Sequence, residues 1–125
     1  MTVLNDVYKC AVCGNVVEVV NASAGTLVCC GQPMNRLEAK TADQGKEKHV
    51  PVVTESGGKV TVAVGSVEHP MLDNHYIKFI EVLTKDKVLR ADLKPGMKPS
   101  AVFDVAKADI VTVREYCTVH DLWKA

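Results

Sequence analysis

Val50-Pro51-Val52-Val53-Thr54-Glu55-Ser56-Gly57-Gly58-Lys59-Val60-Thr61-Val62-Ala63-Val64 decides the fold class. Val60, Val62 and Val64 share one face of a period-two pattern, and Ser56-Gly57-Gly58 supplies a turn, so the stretch predicts an alternating, half-buried hairpin. The pattern continues downstream. Residues 76–84 set Ile77, Phe79 and Leu83 on one side, Lys85-Asp86-Lys87 turns, and residues 88–93 run on. Pro95-Gly96 breaks the chain before two further runs, 101–105 and 110–116. About seven strands with a turn every ten residues or so, and no convincing amphipathic helix, predict a mainly β protein containing an all-β sandwich.

Upstream the pattern changes near residue 40, which places a domain boundary between residues 1–38 and 39–125. In the first part, residues 16–20 and 25–28 read as two short strands with Asn21-Ala22-Ser23-Ala24-Gly25 as the turn. Fewer than forty residues cannot usually hold a fold by core burial, so this part is expected to need a metal. Between the two parts, residues 41–48 (Thr-Ala-Asp-Gln-Gly-Lys-Glu-Lys) are polar and charged and read as a mobile surface loop.

The chain has 125 residues, with fifteen Lys+Arg against fifteen Asp+Glu. Zero net charge provides no field for a nucleic acid or an anionic membrane, and no apolar run approaches a membrane span, so neither partner is expected. Met1-Thr2-Val3-Leu4-Asn5-Asp6 lacks a basic and then apolar leader, so a cytoplasmic location is expected. The informative residues are five Cys and four His. An odd number of Cys, two of them adjacent, makes a poor disulfide framework and a natural thiolate ligand set in a reducing compartment.

Cys10-Ala11-Val12-Cys13-Gly14 has the form of a metal knuckle, and Cys29-Cys30-Gly31 supplies a second thiolate pair. Adjacent ligands cannot both take the relaxed knuckle geometry and should distort the tetrahedron. A tetrahedral S₄ site selects zinc or iron, and a zinc ribbon is one reading of it. The segment from Tyr8 through Gly31 resembles desulforedoxin, a small rubredoxin-like iron protein carrying the same adjacent pair, and that resemblance favours iron.

Every His and the remaining Cys lie in the β part, at strand ends or in loops. They are His49, His69, His75, Cys117 and His120, the last two forming a Cys117-x-x-His120 turn. Five ligands of type N₄S exceed a structural zinc site, which closes at four, and are too rich in nitrogen for an iron–sulfur cluster. A mononuclear redox iron fits better. Four imidazoles in a plane with the thiolate axial would leave one position open, and neutral imidazoles with one thiolate leave a ferrous centre at net charge +1, attractive to small anions. Lys48 and Glu47 precede the first His: an ammonium there would draw in an anion and a carboxylate could cap the oxidised metal, although Lys46-Glu47-Lys48 also reads as a solvated charge run.

Taken together, the chain resembles desulfoferrodoxin, a family of two-iron superoxide reductases. The resemblance covers the whole length and rests on Cys10-x-x-Cys13 with Cys29-Cys30, Glu47-Lys48-His49-Val50-Pro51, His69-Pro70-Met71 with His75-Tyr76, and Cys117-x-x-His120 followed by Trp123. It implies a desulforedoxin-like domain joined to an immunoglobulin-like β-sandwich, usually as a homodimer. It also implies two irons per chain, one held by Cys10, Cys13, Cys29 and Cys30. The other would have His49, His69, His75 and His120 as equatorial ligands and Cys117 as the axial one. The implied reaction turns superoxide, one electron and two protons into hydrogen peroxide without releasing dioxygen. Lys48 would assist protonation, Glu47 would cap the ferric state, and rubredoxin or a similar reduced donor would restore the iron. A one-electron carrier using the same irons, or a zinc-ribbon interaction module, are the alternatives.

Overall fold

Short strands around tight turns make up Met1–Glu38, the first of two units in this computed structural model, which describes residues 1–42 and 48–125. β1 (Val7–Lys9) is central in an antiparallel sheet between β2 (Val16–Glu18) and β5 (Asn35–Arg36), while β3 (Val28–Cys29) and β4 (Gln32–Pro33) form a separate hairpin. The strand expected at 16–20 is therefore shorter, and the one expected at 25–28 begins only at Val28. Val7, Cys10 and Val19 are the buried apolar residues of this unit, too few to support it by burial alone.

The second unit, Ala39–Ala125, carries the expected hairpin as β6 (Pro51–Ser56) and β7 (Lys59–Val64). Gly57 and Gly58 both have positive φ, 60° and 77°, as a type I′ turn between paired Ser56 and Lys59 requires. There follow β8 (Ile77–Thr84), β9 (Val88–Asp92), β10 (Ser100–Phe103), one 3₁₀ turn (Lys107–Asp109), β11 (Ile110–Cys117) and β12 (Asp121–Lys124). They form two antiparallel sheets, ordered β10-β7-β6 and β12-β11-β8-β9. With the seven strands lettered A, B, C, C′, E, F and G in chain order, one sheet is A-B-E and the other C′-C-F-G, an immunoglobulin-type sandwich. Among the described residues there is no helix long and apolar enough to cross a membrane.

The core lies between the sheets. Val60, Val62 and Val64 of β7 pack with Ile77, Ile80 and Val82 of β8, Val113 and Cys117 of β11, Leu93 and Phe103. Between β11 and β8 the register shifts: Tyr116 faces Phe79 but Cys117 faces Ile77, leaving Lys78 as the extra residue of a bulge. Both Ile77 and Cys117 are thereby turned into the core at one end of the sandwich. That same end receives the start of β6, the exit of β7 and the β11–β12 turn.

Candidate metal centres

In the first unit, Cys13 N–H points at Cys10 Sγ, 3.5 Å away, and Gly14 donates to the Cys10 carbonyl at 3.0 Å with φ +82°. This is the knuckle that Cys-x-x-Cys-Gly predicts. The second pair uses a different device. Cys29 pairs with Gln32 across a two-residue turn, Cys30-Gly31, whose φ values are +54° and +76°. A type I′ corner thus accommodates adjacent cysteines, at the cost of a left-handed non-glycine residue at Cys30.

Cys13 Sγ lies 3.6 Å from Cys29 Sγ, which lies 3.9 Å from Cys30 Sγ, and all four sulfurs fall within 4.8 Å of one another. Four thiolates on one ion at about 2.3 Å would be separated by about 3.8 Å, so the spacing fits a tetrahedral S₄ site. The Cys13 backbone N–H draws Cys10 down to about 6, whereas the Cys13 side chain pushes Cys30 up to about 12 and raises Cys29. Four thiolates this close ionise together only around a cation. Asn15 Nδ2, which no spacing argument singled out, donates to Cys29 Sγ at 3.8 Å.

In the second unit, His49 precedes β6, His69 and His75 lie between β7 and β8, Cys117 ends β11 and His120 sits in the turn to β12. Local backbone bonds hold each segment. His69 N–H donates to Val64 O at 3.0 Å, and Leu72 and His75 bond each other reciprocally at 2.9 and 3.1 Å across Asp73-Asn74. Thr118 ties the segment carrying His75 to the Cys117-x-x-His120 turn: its N–H donates to Tyr76 O at 3.0 Å and its Oγ1 accepts from Tyr76 N–H at 3.2 Å.

The four imidazoles form a closed circuit. Ring centres are 4.8 Å apart for His49–His69, His69–His75 and His49–His120, and 5.1 Å for His75–His120, each ring steeply inclined to the next. A flat circuit with these edges would put each ring centre about 3.4 Å from the middle, the distance at which a ring nitrogen reaches a shared ion at about 2.1 Å. His49 Nε2 and His120 Nδ1 are 3.1 Å apart, His69 Nε2 is 3.5 Å from Cys117 Sγ, and Cys117 Sγ is 3.8 Å from His120 Nδ1. His75 Nε2 is buried without a hydrogen-bond partner, as a nitrogen awaiting a metal would be. The donor set is N₄S and fits an iron.

Electrostatics favour the neutral, ligand forms of His69 and His75. Burial pushes His69 down to about 4 and also lowers His75, on which His120, His49 and Lys48 act in the same direction. The Lys48 ammonium is therefore near enough to act on this centre. Burial raises the Cys117 thiol, opposed by the N–H groups of Val119 and His120. Glu47, and most of the stretch expected to be a mobile loop, lie outside the described residues.

Residues 41–125 match the desulfoferrodoxin family, and residues 2–37 match the desulfoferrodoxin N-terminal domain. This chain belongs to the desulfoferrodoxin family. A desulfoferrodoxin homolog from Archaeoglobus fulgidus is 57% identical over 125 residues, covering 100% of this chain and 99% of that one. Among solved structures, the superoxide reductase from Treponema pallidum matches with a TM-score of 0.79 at 26% identity, covering 96% of each chain. The one-iron superoxide reductase from Giardia intestinalis matches 64% of this chain and 96% of its own, at 30% identity and a TM-score of 0.53. The Cys₄ and His₄Cys groups match the two iron sites of the desulfoferrodoxin family.

Trp123 and Lys40 are the neighbours of the second centre whose contacts sequence spacing did not reveal. Trp123 stacks on His49, and Lys40 lies over the indole. Neither is a metal-ligand type, and the only signal was the position of Trp123 just after Cys117-x-x-His120.

Proposed function

We propose that this chain is a superoxide reductase, converting superoxide, one electron and two protons into hydrogen peroxide at the centre formed by His49, His69, His75, His120 and Cys117. The observation that carries this reading is the closed circuit of four imidazoles sharing one end of the sandwich with a fully buried thiol. The solved relatives of matching fold are superoxide reductases, which supports it. Iron held there by the four imidazoles and the Cys117 thiolate would supply the electron and take up a small anion, and the thiolate would enrich its electron density.

The residues around the site have separable tasks. The four imidazoles, two of which (His69 and His75) burial holds toward the neutral form, and the Cys117 thiolate hold the ion. Lys48, whose charge reaches His75, draws superoxide in and orders a water that delivers protons. Glu47 would offer a carboxylate to the oxidised iron. Cys10, Cys13, Cys29 and Cys30 hold the other iron, and domains 1–38 and 39–125 act as separate metal modules. Rubredoxin or a similar reduced protein restores the electron, the chain works as a homodimer, and a cytoplasmic setting keeps the thiolates reduced.

The test adds superoxide to anaerobic, prereduced protein and measures peroxide and dioxygen. One peroxide per superoxide with no dioxygen is expected. Evolved dioxygen would make the protein a dismutase, and failure to consume superoxide would make it an electron carrier.

A further inference from the structure

We propose that Trp123, assisted by Lys40, is a positioning residue that aims two of the four imidazoles, His49 and His120, at the shared centre. The inference rests on the reading that those imidazoles ligate one metal.

Trp123 lies on β12 and is 7% exposed. Its indole is stacked flat on His49, ring centres 4.4 Å apart and planes inclined by 14°. At its other edge, Nε1–H donates to the carbonyl oxygen of His120 at 3.0 Å. One side chain therefore touches the ring of one ligand and the backbone of another. The Lys40 ammonium lies 5.0 Å from the indole centre and donates to the same carbonyl at 3.0 Å. Lys40 is itself fixed beside Trp123: its N–H donates to Leu122 O, and Lys124 N–H donates to its carbonyl, both at 2.9 Å.

Each contact constrains a direction that the local backbone leaves loose. His49 stands outside any strand, so its ring plane is set by what packs on the imidazole, and the indole lies flat against one face of it. A near-parallel indole permits the plane that keeps His49 Nε2 at 3.1 Å from His120 Nδ1 and penalises the perpendicular one. His120 lies in a turn closed by Asp121 at φ +66°, and two donors on the intervening carbonyl hold that peptide in one orientation. Outer-shell partners of this kind typically change metal affinity by about 10–100-fold when removed.

Full-length protein loaded with Co(II) tests this. Absorption present in wild type and absent in Cys117→Ser reports the second centre, and competition with a chelator gives its Kd. Trp123→Leu should raise that Kd at least about tenfold. Trp123→Phe keeps a buried ring but loses the N–H, so it should raise Kd several-fold and reshape the band. Lys40→Met should reproduce the loss in part. A residue that merely fills space would lower thermal stability without altering the band. Wild-type affinity and band shape in Trp123→Phe would overturn the proposal, whether or not the Leu variant folds. Co(II) binding is read without superoxide, so failure of the reductase reading would appear separately, as wild-type protein that does not consume superoxide.

Discussion

His69 Nδ1 lies 2.7 Å from the carbonyl oxygen of Pro70. A carbonyl can only accept, so Nδ1 carries the proton and Nε2 presents its lone pair toward Cys117 Sγ at 3.5 Å. His69-Pro70 thus sets its own tautomer before any metal arrives. Burial also holds the folded imidazole down to about 4, below its value of 6.5 when free. Folded His69 therefore resists a proton that the unfolded chain accepts, and its contribution to stability is present above pH 6.5 and lost as pH falls toward about 4. Chelator-treated protein should show a falling urea midpoint across that window, and His69→Gln should flatten the fall. An equal slope in both proteins would exclude His69 as its source.

Cys13→Ser should remove the metal of the first unit, and with it much of that unit's order, because Val7, Cys10 and Val19 provide little core. Superoxide consumption should persist, since none of the four imidazoles belongs to Met1–Glu38. Metal analysis alongside peroxide yield checks both halves. Loss of activity in a variant that still holds the second metal would show that the two centres depend on each other.

Lys48→Ala should leave metal content unchanged and slow superoxide association by about tenfold at low salt, with a flatter dependence on ionic strength. The expectation follows from the reach of the Lys48 charge to His75. Association rates measured from low to high salt decide it. Identical salt slopes in the two proteins would remove Lys48 from steering.

Legibility in the sequence followed the range of the interactions. The hairpin of β6 and β7 was readable because Val60, Val62 and Val64 alternate and Gly57-Gly58 closes the turn, all local signals. The two clusters of candidate ligands were readable because Cys and His in such number have few other uses together. β1 and β5 escaped notice because Val7-Tyr8-Lys9 and Asn35-Arg36 are too short for any period and are strands only through their pairing, β1 with β2 and β5, and β5 with β1. β12 escaped for the same reason, and with it the stacking of Trp123 on His49, two residues far apart in the sequence. Stacking of that kind leaves no trace in spacing.

Glu81 and Arg114 are register partners on β8 and β11, and Arg114 Nε donates to Glu81 Oε1 at 2.7 Å with both side chains almost wholly buried. Two charges placed between sheet strands lose their hydration, and the pair largely offsets that loss rather than adding net stability. Removing one member is different, because the other remains buried with its charge less compensated. Glu81→Ala should therefore cost about 3 kcal/mol in unfolding free energy, and Arg114→Met a comparable amount. The double variant should cost clearly less than the two singles together, since neither charge is then stranded. Urea unfolding of the four proteins at pH 7 supplies the cycle. Additive losses would mean that each residue is held by separate neighbours and that the 2.7 Å contact contributes little of its own.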